Sequence, residues 1–121
     1  MGYTVQVRDF FNIVSFFGET DGAEIFECMD VLHGNSRFDD IRGEIWDFSK
    51  VVDLDLSIEQ CRRIAALANA AAKTNSRIKS AVIASDDNVG VMANLYEAEM
   101  MSSLWETKVF SNIDEALDWL S

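Results

Sequence analysis

Histidine occurs once in this chain of 121 residues, cysteine twice, and lysine and arginine together ten times against twenty-one aspartates and glutamates. A single imidazole and no Cys-x-x-Cys spacing support neither a structural zinc site nor a disulfide framework. Cys28 and Cys61 fall on predicted apolar helix faces, where cysteine acts as a small hydrophobe. The net charge of −11 repels phosphate backbones and anionic headgroups, so no nucleic-acid partner is expected. The basic residues Arg62, Arg63, Lys73, Arg77 and Lys79 form one cluster, read as a solvated face or part of a protein interface. No stretch approaches the roughly 18 apolar residues of a membrane-spanning helix, so no transmembrane segment is expected. The first residues lack a basic segment followed by an apolar one and a cleavage site, and a soluble cytoplasmic protein is expected.

Signature loops are missing as well. There is no Gly-x-Gly-x-x-Gly, no phosphate-cradling Gly-x-x-x-x-Gly-Lys and no Gly-x-Ser-x-Gly elbow. A nucleophilic serine or cysteine would need His33 as its base. That histidine falls in the last turn of a predicted helix, just before Gly34, where capping or surface use is the expectation. No catalytic residue, cofactor or bound metal is therefore expected.

What remains reads as one α/β domain with 49% hydrophobic residues. Tyr3 to Val7 alternates as a half-buried strand, and Phe10 to Phe17 forms a second one, ended by Gly18, in a hairpin with the first. Thr20 or Asp21 opens a helix carrying Ile25, Met29 and Leu32, closed by His33 and Gly34, with Asn35 to Asp40 as loop. Glu44 to Phe48 is a third strand. An acidic loop then leads to a helix from Ser57 to Lys73, whose apolar face is Ile58, Cys61, Ile64, Ala65, Ala68, Ala71 and Ala72. Ser80 to Ala84 suits an interior strand. Ser85-Asp86-Asp87-Asn88 offers caps for a helix with Met92, Ala93, Tyr96 and Met100 on one face. Trp105 to Phe110 is a last strand, and Asn112 caps a final helix. The order ββαβαβαβα predicts a mixed sheet of about five strands covered by helices, opened by an antiparallel hairpin.

The stretch Arg42 to Ser57 is the most site-like. Ser57 with Gln60 three residues on forms a capping box, and Asp53 and Asp55 place two carboxylates beside that hydroxyl. In an open parallel sheet the loops after the strands gather on one edge, so Asp53, Asp55 and Ser57 should meet Asp86, Asp87 and Gly90 there. Gly90 suggests close packing or the approach of a ligand. The carboxylate pairs could also suit a hard cation or a phosphoacceptor, with helix capping and solvation as the plainer reading. Phe10, Phe11, Phe16 and Phe17 cannot all face one side of a strand. Any left outward would form a patch suited to a homodimer, a partner or an apolar small molecule.

Ile45-Trp-Asp-Phe-Ser-Lys-Val-Val-Asp-Leu-Asp-Leu-Ser57 resembles the strand-loop-helix signature of STAS domains, the anti-sigma-factor antagonist fold. Trp46-Asp47-Phe48-Ser49 matches the strand portion, Asp55 the motif aspartate, and Ser57 its second serine, the regulatory phosphorylation site of that family. Leu56 and Ile58 stand where the family has serine and glycine. The ending Val109-Phe-Ser-Asn-Ile-Asp-Glu-Ala-Leu117 is similar too. The whole chain resembles the divergent SpoIIAA-like, or STAS/Sec14-like, bacterial branch. The resemblance implies a SpoIIAA-like fold and a non-enzymatic regulatory module that binds a protein partner and is switched at Ser57, with apolar-ligand or lipid binding as the alternative.

Overall fold

The computed structural model describes residues 2–121. Five strands form one sheet in the order β1-β2-β3-β4-β5, with β1 (Gly2–Val7), β2 (Phe11–Asp21), β3 (Gly43–Asp55), β4 (Lys79–Ile83) and β5 (Glu106–Phe110). The opening β1-β2 hairpin is antiparallel and every later pairing is parallel. Helices α1 (Gly22–His33), α2 (Ile58–Thr74) and α3 (Asp87–Glu99) are the three crossovers, and α4 (Ile113–Leu120) ends the chain. The mixed five-stranded α/β architecture is the expected one.

Strand order follows chain order, so crossovers of one hand place α1, α2 and α3 on the same face. Their apolar stripes pack with Val14, Phe16, Trp46 and Val82 in the larger core. α4 covers the other face, where Ala116 and Leu120 meet Ile13, Ile45, Ala81, Ile83 and Phe110. β4 is accordingly buried on both sides, which its unalternating sequence requires.

All four helices begin at side chains that accept from a backbone amide three residues on. Asp21 caps α1, Ser57 caps α2, Asp86 caps α3 and Asn112 caps α4, at 2.9–3.0 Å. Ser57 closes a full capping box, its own amide donating to Gln60 Oε1 at 3.0 Å. A side chain at Gly22 would collide with Gln60, whose Nε2 lies 2.8 Å from the position of a Cβ. The starts of α1 and α2 pack closely against one another at Gly22 and Gln60.

Three segments depart from the sequence expectation. β2 does not stop at Gly18 but runs to Asp21, passing through register shifts at Ser15/Phe17 and Gly18/Glu19. Gly18 takes φ +71°, a left-handed conformation that a bulge exploits and other residues resist. The expected acidic loop after Phe48 is strand as far as Asp55, paired with β2 alone, because β4 stops opposite Asp47. The expected loop at 35–40 contains a 3₁₀ turn, Ser36–Asp40, capped by Asn35. Of the clustered cations, Lys79 is not simply solvated: its ammonium donates to the Trp119 carbonyl at 3.2 Å and sits over that ring.

The aromatic residues mostly turn inward. Phe16 is fully buried, stacked 4.9 Å from Phe48 and 6.2 Å from Trp46, while Phe10 and Phe17 stay exposed. Stacked pairs of this kind contribute about 0.5–1.5 kcal/mol beyond the burial of their area.

Candidate functional site

Between the sheet and the three crossover helices lies a cavity of about 60 Å³. It runs from the amino-terminal ends of the parallel strands, at Glu44 and His33, to their carboxyl ends, at Leu54, Leu56 and Val89. Its walls are almost wholly apolar, with Ile64 and Ala68 from α2, Val82 from β4 and Met92 from α3. Its far end is different.

Parallel register explains the difference. Asn12 pairs with Glu44, Glu44 with Ser80 and Ser80 with Thr107, so one polar row crosses the sheet from β2 to β5. The next row on the same face, Val14-Trp46-Val82-Val109, is wholly apolar. In-register neighbours in a parallel sheet share a face, so the polar row points at the helices. Asn12 is satisfied by the Arg37 guanidinium at 3.1 Å. Glu44 is completely buried. The Trp46 indole N–H donates to its Oε1 at 3.0 Å, and His33 Nε2 lies 2.8 Å from its Oε2.

His33 corrects the sequence expectation. It ends α1, but its ring turns inward to Glu44, packed among Phe38 at 4.9 Å, Trp105 at 5.7 Å and Trp46 at 6.4 Å. Beside the pair, Thr107 Oγ1 is buried with no hydrogen-bond partner among the described residues, and the buried Ser80 hydroxyl lies near the Tyr96 phenol. Burial, and then the neighbouring Glu44, push the Tyr96 phenol up from its ordinary value, while Ser80 acts in the opposite direction. The Cys28 thiol is pushed up to about 12 by burial first and then by Glu44. Neither thiol is a ready nucleophile: Cys61, in the cavity wall, is raised as well, mainly by burial.

The residues expected from the sequence sit at the opposite end. Asp53 and Asp55 are exposed on the projecting part of β3, paired in register with Glu19 and Asp21. Ser57 is exposed at the start of α2, Asp86 and Asp87 are exposed at the start of α3, and Gly90 is half-buried. The two segments border one cavity through Leu54, Leu56, Val89 and Met92. Gly90 is not there for close packing: a Cβ added to it would meet nothing within 4 Å. Among the described residues, no group of His, Cys, Asp and Glu is arranged to hold a metal ion. No helix among them is long and apolar enough to cross a membrane.

Glu44, His33, Ser80 and Tyr96 were not singled out as a site from the sequence. The available signal was parity: Glu44 alternates with Trp46 and Phe48 on one side of a strand whose other side carries Ile45. A carboxylate in that series has to be buried.

No protein-family model matches the chain, and no curated protein matches it in sequence. Solved structures do share its fold. The anti-sigma factor antagonist SpoIIAA in its unphosphorylated form is 9% identical, aligned over 98% of this chain and 97% of that one, with a TM-score of 0.65. An uncharacterized DUF3478-family protein with a SpoIIAA-like fold from Shewanella loihica PV-4 is 18% identical over 99% of this chain and 93% of that one, with a TM-score of 0.58. The chain therefore has the SpoIIAA-like, STAS-type fold that the stretch Ile45 to Ser57 led us to expect.

Proposed function

We propose that residues 1–121 act as one non-enzymatic regulatory module that recognises a protein partner through the rim carrying Asp53, Asp55 and Ser57. The observation that carries this reading is the exposed capping-box serine, set near exposed carboxylates on a SpoIIAA-like fold. A phosphate on Ser57 would add about −1.5 to −2 charge at a helix N-terminus, where the dipole favours an anion. Asp53, Asp55 and Glu59 oppose it, so the fold itself feels a small net effect while a docked partner feels a large one. Incubation with a serine kinase and candidate partners, followed by intact-mass mapping, tests the switch. Phosphate found only elsewhere, together with partner binding indifferent to Ser57→Asp, would remove Ser57 from the account.

A second reading, binding of a small apolar molecule, is favoured by the cavity. Its volume of about 60 Å³ compares with about 150 Å³ for an apolar cavity that admits benzene. The fitting ligand is compact, and a longer chain requires the flexible Met92 or the Tyr96 ring to swing aside. Organic extraction of the purified protein with mass spectrometry, and melting in the presence of small aliphatic molecules, test this reading. It fails if nothing stoichiometric is extracted and nothing added shifts the melting temperature.

A further inference from the structure

The amino-terminal end of the cavity is chemically unlike its walls. Glu44 is 0% exposed and lines the space directly. Each of its oxygens has one recorded neighbour, Trp46 Nε1 on Oε1 and His33 Nε2 on Oε2. A carboxylate oxygen has two acceptor positions, so capacity remains on both. Next to it in the sheet, Ser80 is fully buried behind the cavity wall, its hydroxyl near the Tyr96 phenol. The Tyr96 phenol, which also lines the cavity, is influenced by both. Buried polar atoms almost always find partners, and a buried carboxylate with acceptor positions left open beside a phenol in the same cavity is a recognition element for a complementary donor.

We propose that Glu44, with His33, Trp46 and Tyr96 around it, is the polar end of a ligand site that takes a compact aliphatic molecule headed by a hydroxyl or ammonium group and rejects one headed by a carboxylate. This rests on the apolar-ligand reading of the cavity and specifies it. A hydroxyl head donates to Glu44 while accepting from Tyr96. An ammonium head donates to both. A carboxylate head would set two carboxyl groups side by side among apolar walls, where their repulsion is little screened. The net charge of −11 acts in the same direction, enriching cations and depleting anions near the protein. The aliphatic part then extends along Val82, Ile64 and Met92 toward the rim at Leu54 and Leu56.

The test compares 1-butanol, butylamine and butyrate, one chain with three heads, by NMR titration at constant pH. The Trp46 indole resonance is the reporter at Glu44, and the Met92 methyl reports on the wall. The alcohol and the amine are expected to bind at least about tenfold more tightly than butyrate, the worth of one hydrogen bond kept or lost in a buried site. Glu44→Gln, which retains an acceptor and the side-chain shape, should narrow that gap to about threefold or less by removing the charge. Tyr96→Phe deletes a hydroxyl that lines the cavity and keeps the ring, so the alcohol should weaken. Butyrate binding as well as the others, or a gap that survives both variants, overturns the head-group assignment and leaves the cavity reading intact. Failure of all three to perturb Trp46 and Met92 overturns the cavity reading itself, and this inference with it.

Discussion

Truncation of Glu44 to alanine removes the only recorded partner of the Trp46 indole N–H and the recorded partner of His33 Nε2, both in the interior. A buried donor left unpaired costs about 1–3 kcal/mol, so two of them put Glu44→Ala at about 2–6 kcal/mol. For a chain of this length about 1 kcal/mol moves the melting temperature by roughly 4 °C, which gives a fall of about 8–24 °C. Glu44→Gln is the informative contrast. Its carbonyl still accepts from Trp46, and the imidazole can carry its proton on the other ring nitrogen and accept from the new amide. The expected cost is then about 1 kcal/mol. Calorimetry of both variants, with urea unfolding to check that the m-value is unchanged, measures the difference. If alanine costs less than about 1 kcal/mol, the two hydrogen bonds do not hold the site in the way described. If glutamine costs as much as alanine, the charge of the pair and not its hydrogen bonding sustains the polar end.

Gly90→Ala should stabilise the protein by about 0.5–1 kcal/mol, because the added methyl meets nothing and the unfolded chain loses freedom; a lower melting temperature would show that this position is constrained in a way the open space does not reveal. Ser57→Ala should cost about 1 kcal/mol through the lost cap, read from urea midpoints, and an unchanged midpoint would mean the box adds nothing in water. The pH dependence should appear on the alkaline side. Cys28 is raised from 9.0 to about 12, and Cys61 and Tyr96 are raised too, so the native state holds protons that the unfolded chain releases first. That contribution is fully present below about pH 9 and is lost as pH climbs toward the folded-state values. Urea midpoints that stay level from pH 8 to pH 10.5 would contradict it.

Local chemistry made much of the fold legible. Asp21, Ser57 and Asn112 announce their helices because a cap depends only on a side chain and an amide three residues away. The length of β3 was hidden for the opposite reason. Lys50 to Asp55 carries three charges and faces water on much of its surface, so by composition it reads as loop. It is strand because β2, bent by the bulges near Gly18, follows it in register, and that partner is about thirty residues distant in sequence. The rim residues were legible as surface; the cavity is bordered by their apolar neighbours Leu54, Leu56 and Val89. Glu44 and Ser80 were not read as a pair because neither carries meaning alone; only the β3-β4 register makes them neighbours.

The cavity itself follows from a mismatch of strand lengths. β4 leaves β3 opposite Asp47, while β2 and β3 continue together to Asp21 and Asp55 as a two-stranded ribbon. Leu54 and Leu56 are thus carried past the end of the sheet to face α2 and α3 across a space that no strand fills. A void there forfeits dispersion contacts, and the polar row at its base forfeits more, since well-packed apolar residues in place of a buried ionisable pair are often neutral or stabilising. The flanking row Val14-Trp46-Val82-Val109 shows that this sheet can present an apolar row of four to the same helices. Stability therefore does not account for Glu44 and His33 at the base of the cavity. Local consistency breaks where a ligand's polar head would have to be recognised, and natural sequences concentrate such breaks at functional sites.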